Sequence, residues 1–459
     1  MCPCLESCSK SIPPTGPDSG PNKTDGGTCA DGGSPPCPCD TPEVLVSDVT
    51  FQGVTQFYYA RIPTAGGGSF LLPAPADAAP VHKHFTPVES RPASGTPHWK
   101  KKPGATQDPE FSWPAVYVRT GGGSAPKLKA SFELQPVTCP SATVKIKATS
   151  SQGVNIAEKT LTFAGGKASD TFDLQNLPST VKRLDGIEFT WTFEINSSIR
   201  SSRVTKHTLF VVDQPPKKAN LHPAREDKFL WEILDWSCKW TDGVTGHQNV
   251  LAGIWAKFSP VTSAHDTSLV YWKNWQPPLS VPPNQDLPSA IQSQDDPDTN
   301  KQNAASCIVF DEVLMTCLAA HGIASAEVTL RPPSGTFTRA GHTYTCSGWN
   351  DTTTVGQGNT SAPPSWASHW IAVVSVPVAP SWKFYDASYG PSPVDSVPPS
   401  SAGSTIDIHT YEPLTAASFD CQQAIISSGG VSWTQVTLSR DPSSSVPPHL
   451  LGVILWTNR

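Results

Sequence analysis

Between Ile187 and Asn196 the chain alternates without a break. Ile187, Phe189, Trp191, Phe193 and Ile195 are apolar; Glu188, Thr190, Thr192, Glu194 and Asn196 are polar. Successive side chains of a strand point to opposite faces, so a period of two puts all five large apolar groups on one face. A helix would scatter them around its axis. The segment is therefore read as a strand with one buried face and one wet face, and it needs partner strands and a second layer to cover it. Val144-Lys145-Ile146-Lys147-Ala148 alternates in the same way. Further strands are expected over 128–134, 159–163, 171–174 and 204–212, separated by Gly, Pro and Asn clusters at short intervals. Residues 112–213 thus read as an antiparallel sandwich of immunoglobulin-like type. No Cys–Trp–Cys pattern accompanies them, so the expectation concerns architecture alone.

Composition supports strands over helices. Only 16% of the 459 residues are charged, against 47 prolines and 33 glycines. Such a chain suits short strands joined by turn-rich loops, in about two to four domains. Residues 1–42 form a Cys/Pro/Gly-rich tail that cannot bury a core alone. Residues 43–111 are β-containing and loop-rich, with strands expected over 44–62 and loop character over 63–110. His82 and His84 flank Lys83 there, with no carboxylate or cysteine cluster to complete a metal site, so they are read as surface loop. The net charge is −6, which argues against a nucleic-acid partner. The basic run His98-Trp99-Lys100-Lys101-Lys102 is read as a solvated loop. No apolar run reaches the ~20 residues of a membrane span. The first residues, MCPCLESCSKSIPPTG, lack the basic and apolar regions of a secretory signal.

Six of the twelve cysteines (Cys2, Cys4, Cys8, Cys29, Cys37 and Cys39) fall in that tail. Two Cys-Pro-Cys pairs bracket it. A disulfide-knotted tail ranks first, a metal site second and reactive thiols in an unstructured tail third. The first reading favours a secreted or surface-exposed protein, and the tail is a candidate docking segment for a protein partner.

Residues 214–221 read as a linker, after which the period changes. Leu230, Ile233, Leu234 and Ser237 recur at helical spacing, as do Val250, Leu251, Ile254 and Phe258. The strongest helical pattern begins at Cys307. Phe310, Val313, Leu314, Cys317 and Leu318 follow at i, i+3, i+4, i+7 and i+8, and Gly322 suits the left-handed position that ends a helix. Cys307 thus lies at a helix N-terminus, where backbone amides favour a thiolate, the nucleophilic form. Cys317, on the packed face, is read as core, and His321 and His342 are read as structural, with His342 the substitute base if His369 proves buried. Two later strands are expected, one opening on His369-Trp370 and one running from Trp382 to Asp386. Adjacent antiparallel strands can bring such a histidine and carboxylate into hydrogen-bond reach.

This order resembles the transglutaminase-like superfamily over residues 222–390. The residues that carry the resemblance are Ala305-Ser306-Cys307 at a helix start, Gly322-Ile323 at its end, a strand over 326–330, His369-Trp370, and Trp382 through Asp386. Ala305 departs from the glycine of many members, and residues 331–368, with Cys346, read as a long insertion. The resemblance implies an α+β papain-like domain with Cys307 as nucleophile, His369 as base and Asp386 as orienting acid. A tryptophan upstream of the cysteine assists the oxyanion in animal transglutaminases; Trp272 is the candidate here, with Trp275 in the same stretch. No cofactor and no metal are implied. Residues 391–459 are expected to form a C-terminal β extension.

The whole is thus expected to be multidomain, an all-β immunoglobulin-like sandwich followed by an α+β transglutaminase-like domain. The activity implied is attack on a carboxamide or peptide bond of a protein or peptide substrate. A thioester would then pass to water or an amine, as in a transglutaminase, deamidase or peptidase, and a secreted bacterial effector fits this by analogy. The rival reading is a non-catalytic binding or structural protein that uses the same fold within a larger assembly.

Overall fold

The computed structural model describes residues 42–53, 62–63, 69–70, 98–104, 109–112, 114–119, 125–136, 141–217, 231–259, 262–264, 270–271, 304–305, 307–332, 335–351, 365–366, 369–375, 381–396, 404–407, 416–440 and 451–456. The cysteine-rich tail, His82, His84, Trp272 and Trp275 lie outside them.

Strands dominate. The N-terminal half supplies β1 (Glu43–Gln52), the short pair β2 (Ile62–Pro63) and β3 (Ser69–Phe70), β4 (His98–Lys101), β5 (Pro109–Ser112), β6 (Ala115–Val118), β7 (Lys127–Gln135), β8 (Ser141–Ser150), β9 (Asn155–Ala164), β10 (Lys167–Gln175), β11 (Lys182–Ile195) and β12 (Ser198–Val212). Ten of these form one sheet in the order β5-β4-β1-β7-β10-β9-β8-β11-β12-β6. Neighbours run antiparallel except β6 beside β12. The alternating residues of β11 all face inward: Ile187, Phe189, Trp191, Phe193 and Ile195 are at most 4% exposed and share one core with Phe132, Phe163 and Phe172. The Trp191 indole donates to Thr205 Oγ1 at 2.8 Å inside that core.

An immunoglobulin-like sandwich over 112–213 is not what forms. The sheet curls into a nearly closed barrel. Side chains join β1 and β4 to β12, near the other end of the hydrogen-bonded order. Arg203 of β12 donates to Glu43 of β1 at 2.6 Å. The His207 ring of β12 lies 5.2 Å from Phe51 of β1 and 5.9 Å from Trp99 of β4, between ring centroids. Alternation demands one buried face per strand, and a sandwich and a closed sheet meet that demand equally. Closure depends on β1, β4 and β5, which come almost wholly from before residue 112. The basic run is likewise corrected: His98–Lys101 is strand β4, and Trp99 is buried in the barrel.

Three helices occur among the described residues: α1 (Trp231–Trp240), α2 (His247–Phe258) and α3 (Cys307–Ala320). They form one layer against the outside of the barrel. Leu209 of β12 belongs to the barrel core, whereas Phe210 and Val212 join the helical cluster with Ile233, Ile254 and Leu314. The remaining strands are β13 (Val270–Tyr271), β14 (Ala304–Ala305), β15 (Ser325–Arg331), β16 (Thr336–Arg339), β17 (His342–Asp351), β18 (Ser365–Trp366), β19 (His369–Ser375), β20 (Trp382–Tyr385), β21 (Val394–Ser396), β22 (Ser404–Asp407), β23 (Ala416–Ser427), β24 (Gly430–Ser439) and β25 (Leu451–Trp456). A six-stranded antiparallel sheet, β21-β20-β19-β15-β25-β22, covers the other side of the helices through Ala372, Val374 and Tyr385. Its far face, through Val328, Leu330, Ile371 and Phe384, packs on Trp349, Phe419 and Cys421 of a five-stranded sheet. That sheet runs β16-β17-β23-β24, with β18 also beside β17.

The expected α+β papain-like domain is corrected with the sandwich. This half is mostly strand, and its helices are a layer shared with the barrel. Residues 331–368 are not a simple insertion either. They supply β16, β17 and β18, and their sheet is completed by β23 and β24 from beyond residue 391. Pairing across such distances leaves no local period to read.

Residues 213–217, which lead into and open the segment read as a linker, meet the end of α3 and the start of α2. Buried Asp213 accepts from Arg119 Nε at 2.5 Å and from the Gly246 amide, at the start of α2, at 2.7 Å. Its own amide donates to His321 Nδ1 at 3.3 Å. Gly322 ends α3 at φ 76°. A Cβ there would lie 2.7 Å from the Pro215 carbonyl oxygen and 2.9 Å from Gln214 Cβ. Gly322→Ala is therefore expected to lower stability by about 2 kcal/mol or more, from strained backbone plus displaced junction. A thermal or urea melt measures it, and an unchanged midpoint would show that the junction yields freely.

Cys346 and Cys421 face each other across the β17–β23 ladder and form a disulfide that closes 75 residues of sequence. Reduction, or replacement of both by alanine, is expected to lower stability by about 2–4 kcal/mol, mainly by freeing the unfolded chain. The urea midpoint with and without reductant checks this. No helix among the described residues is long and apolar enough to cross a membrane.

Candidate active site

Cys307 is the first residue of α3. The helix forms there because its apolar residues fall on the faces turned to α1, α2 and the six-stranded sheet: Phe310, Leu314, Cys317 and Leu318 are all buried. The Cys307 thiol is free and 8% exposed. It belongs to the same continuous apolar cluster as Trp255, Phe258, Tyr385, Ala387 and Tyr389. Trp255 meets Tyr385 edge-on at 4.9 Å, and Phe258 meets Phe310 at 6.3 Å. Burial pushes the Tyr385 hydroxyl up to about 12, so it stays a neutral phenol near neutral pH.

Asp386 follows β20 directly and is buried. Its Oδ1 accepts the amides of Ser388 at 3.0 Å and Tyr389 at 3.3 Å, and its carbonyl accepts the Gly390 amide at 2.8 Å. The carboxylate thus organises the turn that ends β20, in the way short acidic side chains do. The Ser259 hydroxyl at the end of α2 holds the same turn by donating to the Gly390 carbonyl at 3.1 Å.

His369 opens β19, its backbone paired with Leu330 of β15. On its other side β19 is antiparallel to β20, from Ser375–Trp382 to Ala372–Tyr385. The histidine and the carboxylate therefore stand toward the same end of two adjacent strands. The imidazole itself lies outside the described side chains. Trp272 lies outside the described residues, but the residue before it is placed. Val270 and Tyr271 pair in parallel with Ala304 and Ala305, so the chain just ahead of Trp272 runs beside the chain just ahead of Cys307.

Sequence reading missed the buried carboxylates of this layer. Asp311, one turn after Cys307, and Glu327 of β15 are at most 1% exposed, and Glu312 is 7% exposed. Each is engaged by a polar or electrostatic partner. A faint signal was present: Ser325, Glu327 and Thr329 alternate with Ala326, Val328 and Leu330. In the sheet the polar set is as buried as the apolar set, because both faces of β15 are covered.

The other residues singled out by sequence lie elsewhere. Cys317 is in the helical core, its thiol pushed well up by burial. His321 is buried at the Asp213 junction and depressed to about 4 by desolvation. His342 sits on β17, its Nδ1 3.0 Å from Gln423 Nε2, in the five-stranded sheet rather than beside α3. No group of three His, Cys, Asp or Glu among the described residues is arranged to hold a metal ion.

No protein-family model matches the chain, and no curated protein matches it.

Proposed function

We propose that this protein is a cysteine-dependent acyl-transfer enzyme acting on a carboxamide or peptide bond of a protein or peptide. One observation carries the proposal. A free thiol opens α3 within the same apolar cluster as both chain neighbours of the buried Asp386, and the strand leading to Asp386 is paired with the strand that His369 opens. In this reading His369 takes the thiol proton, which requires the start of β19 to leave the face it shares with Leu330 and turn toward α3, and Asp386 fixes the imidazole tautomer. The sulfur–carbon bond forms, the carbon–nitrogen bond breaks, and the imidazolium returns its proton to the departing ammonia or amine. The thioester then passes to water or to a lysine amine. The pairing of Val270-Tyr271 with Ala304-Ala305 supports a role for Trp272 at the oxyanion. The order of these elements supports kinship with the transglutaminase-like superfamily, in a chain that carries far more sheet. The Cys346–Cys421 disulfide supports an exported or surface setting.

A non-catalytic reading draws on one observation, that Asp386 already serves its own turn. Two measurements separate the readings. Iodoacetamide labelling at neutral pH is expected to modify Cys307 faster than an unactivated thiol. Peptide profiling by mass spectrometry is expected to show deamidation, cleavage or cross-links that vanish in Cys307→Ala. An ordinary labelling rate together with unaltered peptides would sink the enzyme reading.

A further inference from the structure

A sheet edge offers unpaired N–H and C=O groups to any other strand, and folded proteins blunt it with short strands, charges, proline or bulges. Among the described residues the outer edges of the three large sheets follow that pattern, with one exception. β5 and β6 bound the barrel sheet with four residues each; β5 contains Pro109, and Pro114 precedes β6. β21 and β22 bound the six-stranded sheet with three and four residues and carry Asp395 and Asp407. β16 has four residues and ends on Arg339. The exception is β24. It spans ten residues, contains neither charge nor proline, and pairs with β23 from Ser427–Gly430 to Ser418–Ser439 without a register shift.

We propose that β24 is the pairing edge for a second copy of this chain, the two β24 strands joining antiparallel about a two-fold axis. Antiparallel self-pairing about a two-fold at Thr434, near the middle of β24, sets Thr434 opposite its own duplicate and Trp433 opposite Gln435 of the second copy, so a charge near the axis would lie close to its duplicate. An uncharged run meets that requirement, and here it extends from Cys421 to Ser439. The exposed apolar groups fit the same occupant. Ile426 (80% exposed) is paired with Val431 (59%), and Trp433 (42%) is two residues further along β24 on the same face. A two-fold normal to the sheet keeps that face common to both copies, so the two patches adjoin across the axis. The Cys346–Cys421 disulfide pins the hairpin to β17 four residues before Ile425, which limits the ordering needed on pairing. A single edge makes a small interface, so the dimer is concentration-dependent, with a Kd on the order of micromolar.

Sedimentation equilibrium of the full chain tests this. The wild type is expected to dimerise. Gln435→Lys, which sets a charge opposite Trp433 of the second copy and puts the two lysines on one face on either side of the axis, is expected to raise the Kd at least tenfold with unchanged circular dichroism. Gln422→Lys, its cross-strand partner on the inner strand β23, is expected to leave the Kd unaltered. Thr434→Cys is expected to give a covalent dimer on mild oxidation, an independent readout should the lysine variant fold poorly. A chain that stays monomeric, or a dimer indifferent to Gln435→Lys and uncrosslinked by Thr434→Cys, overturns the proposal. A monomer that binds phosphatidylcholine vesicles with a blue shift of Trp433 emission also overturns it, and assigns the hairpin to a lipid surface instead.

Discussion

Cys307→Ala is expected to abolish acyl transfer, a loss of roughly 10⁴-fold or more, because no other group in the site can form the thioester. Asp386→Asn is the more discriminating change. Asparagine keeps a side-chain oxygen where Asp386 Oδ1 accepts the Ser388 and Tyr389 amides, so the turn after β20 persists and the fold should melt as the wild type does. What asparagine removes is the negative charge, and with it control of the imidazole tautomer. If Asp386 orients His369, kcat falls by roughly 10²–10⁴-fold with KM little changed. If Asp386 only organises its turn, kcat stays where it was. Steady-state kinetics on a glutamine-containing peptide, with a thermal melt of each variant, tells the two apart. The effects of Cys307 and His369 substitutions are expected not to add, since the residues act as one unit.

Acidification is expected to destabilise the fold by about 5 kcal/mol between about pH 7 and about pH 4.5, through two buried histidines. Desolvation lowers His207 from 6.5 to about 3 and His321 from 6.5 to about 4. Both folded values lie below the unfolded one, so in this window the unfolded chain binds more protons than the folded chain. The stability that each neutral ring supports is fully present above about pH 6.5 and drains away as the pH falls toward the folded value. The surroundings explain why the rings stay neutral. His207 is enclosed by Phe51, Trp99 and Phe189, with the Thr205 hydroxyl 2.8 Å from Nε2. His321 sits in the helical layer, where the charge of Asp213 and a backbone hydrogen bond to Ser237 only partly offset desolvation. Urea titrations across the pH range measure the slope. His207→Gln should remove about half of it, and an unchanged slope would place the acid sensitivity elsewhere.

The sequence by itself determined one buried face of each strongly periodic strand and helix. The alternation in β11 placed Trp191 and its neighbours in a core, and the helical periods marked α1, α2 and α3, with Gly322 at the end of α3. These are local properties, set by the direction in which successive side chains leave the backbone. It also singled out Cys307 as a thiol at a helix start, and the ladder between β19 and β20 joins the strands that carry His369 and lead to Asp386.

Tertiary structure decided how the strands are partnered. Whether β11 lies in a sandwich or a barrel turns on β1, β4 and β5. Whether residues 331–368 are an insertion or half of a sheet turns on β23 and β24, dozens of residues later. The buried carboxylates Asp311 and Glu327 were equally hidden, because a polar residue in an alternating strand reads as solvent-facing until a second layer covers that face. Side-chain period is fixed by neighbours in sequence, whereas sheet closure and two-sided burial are fixed by neighbours in space.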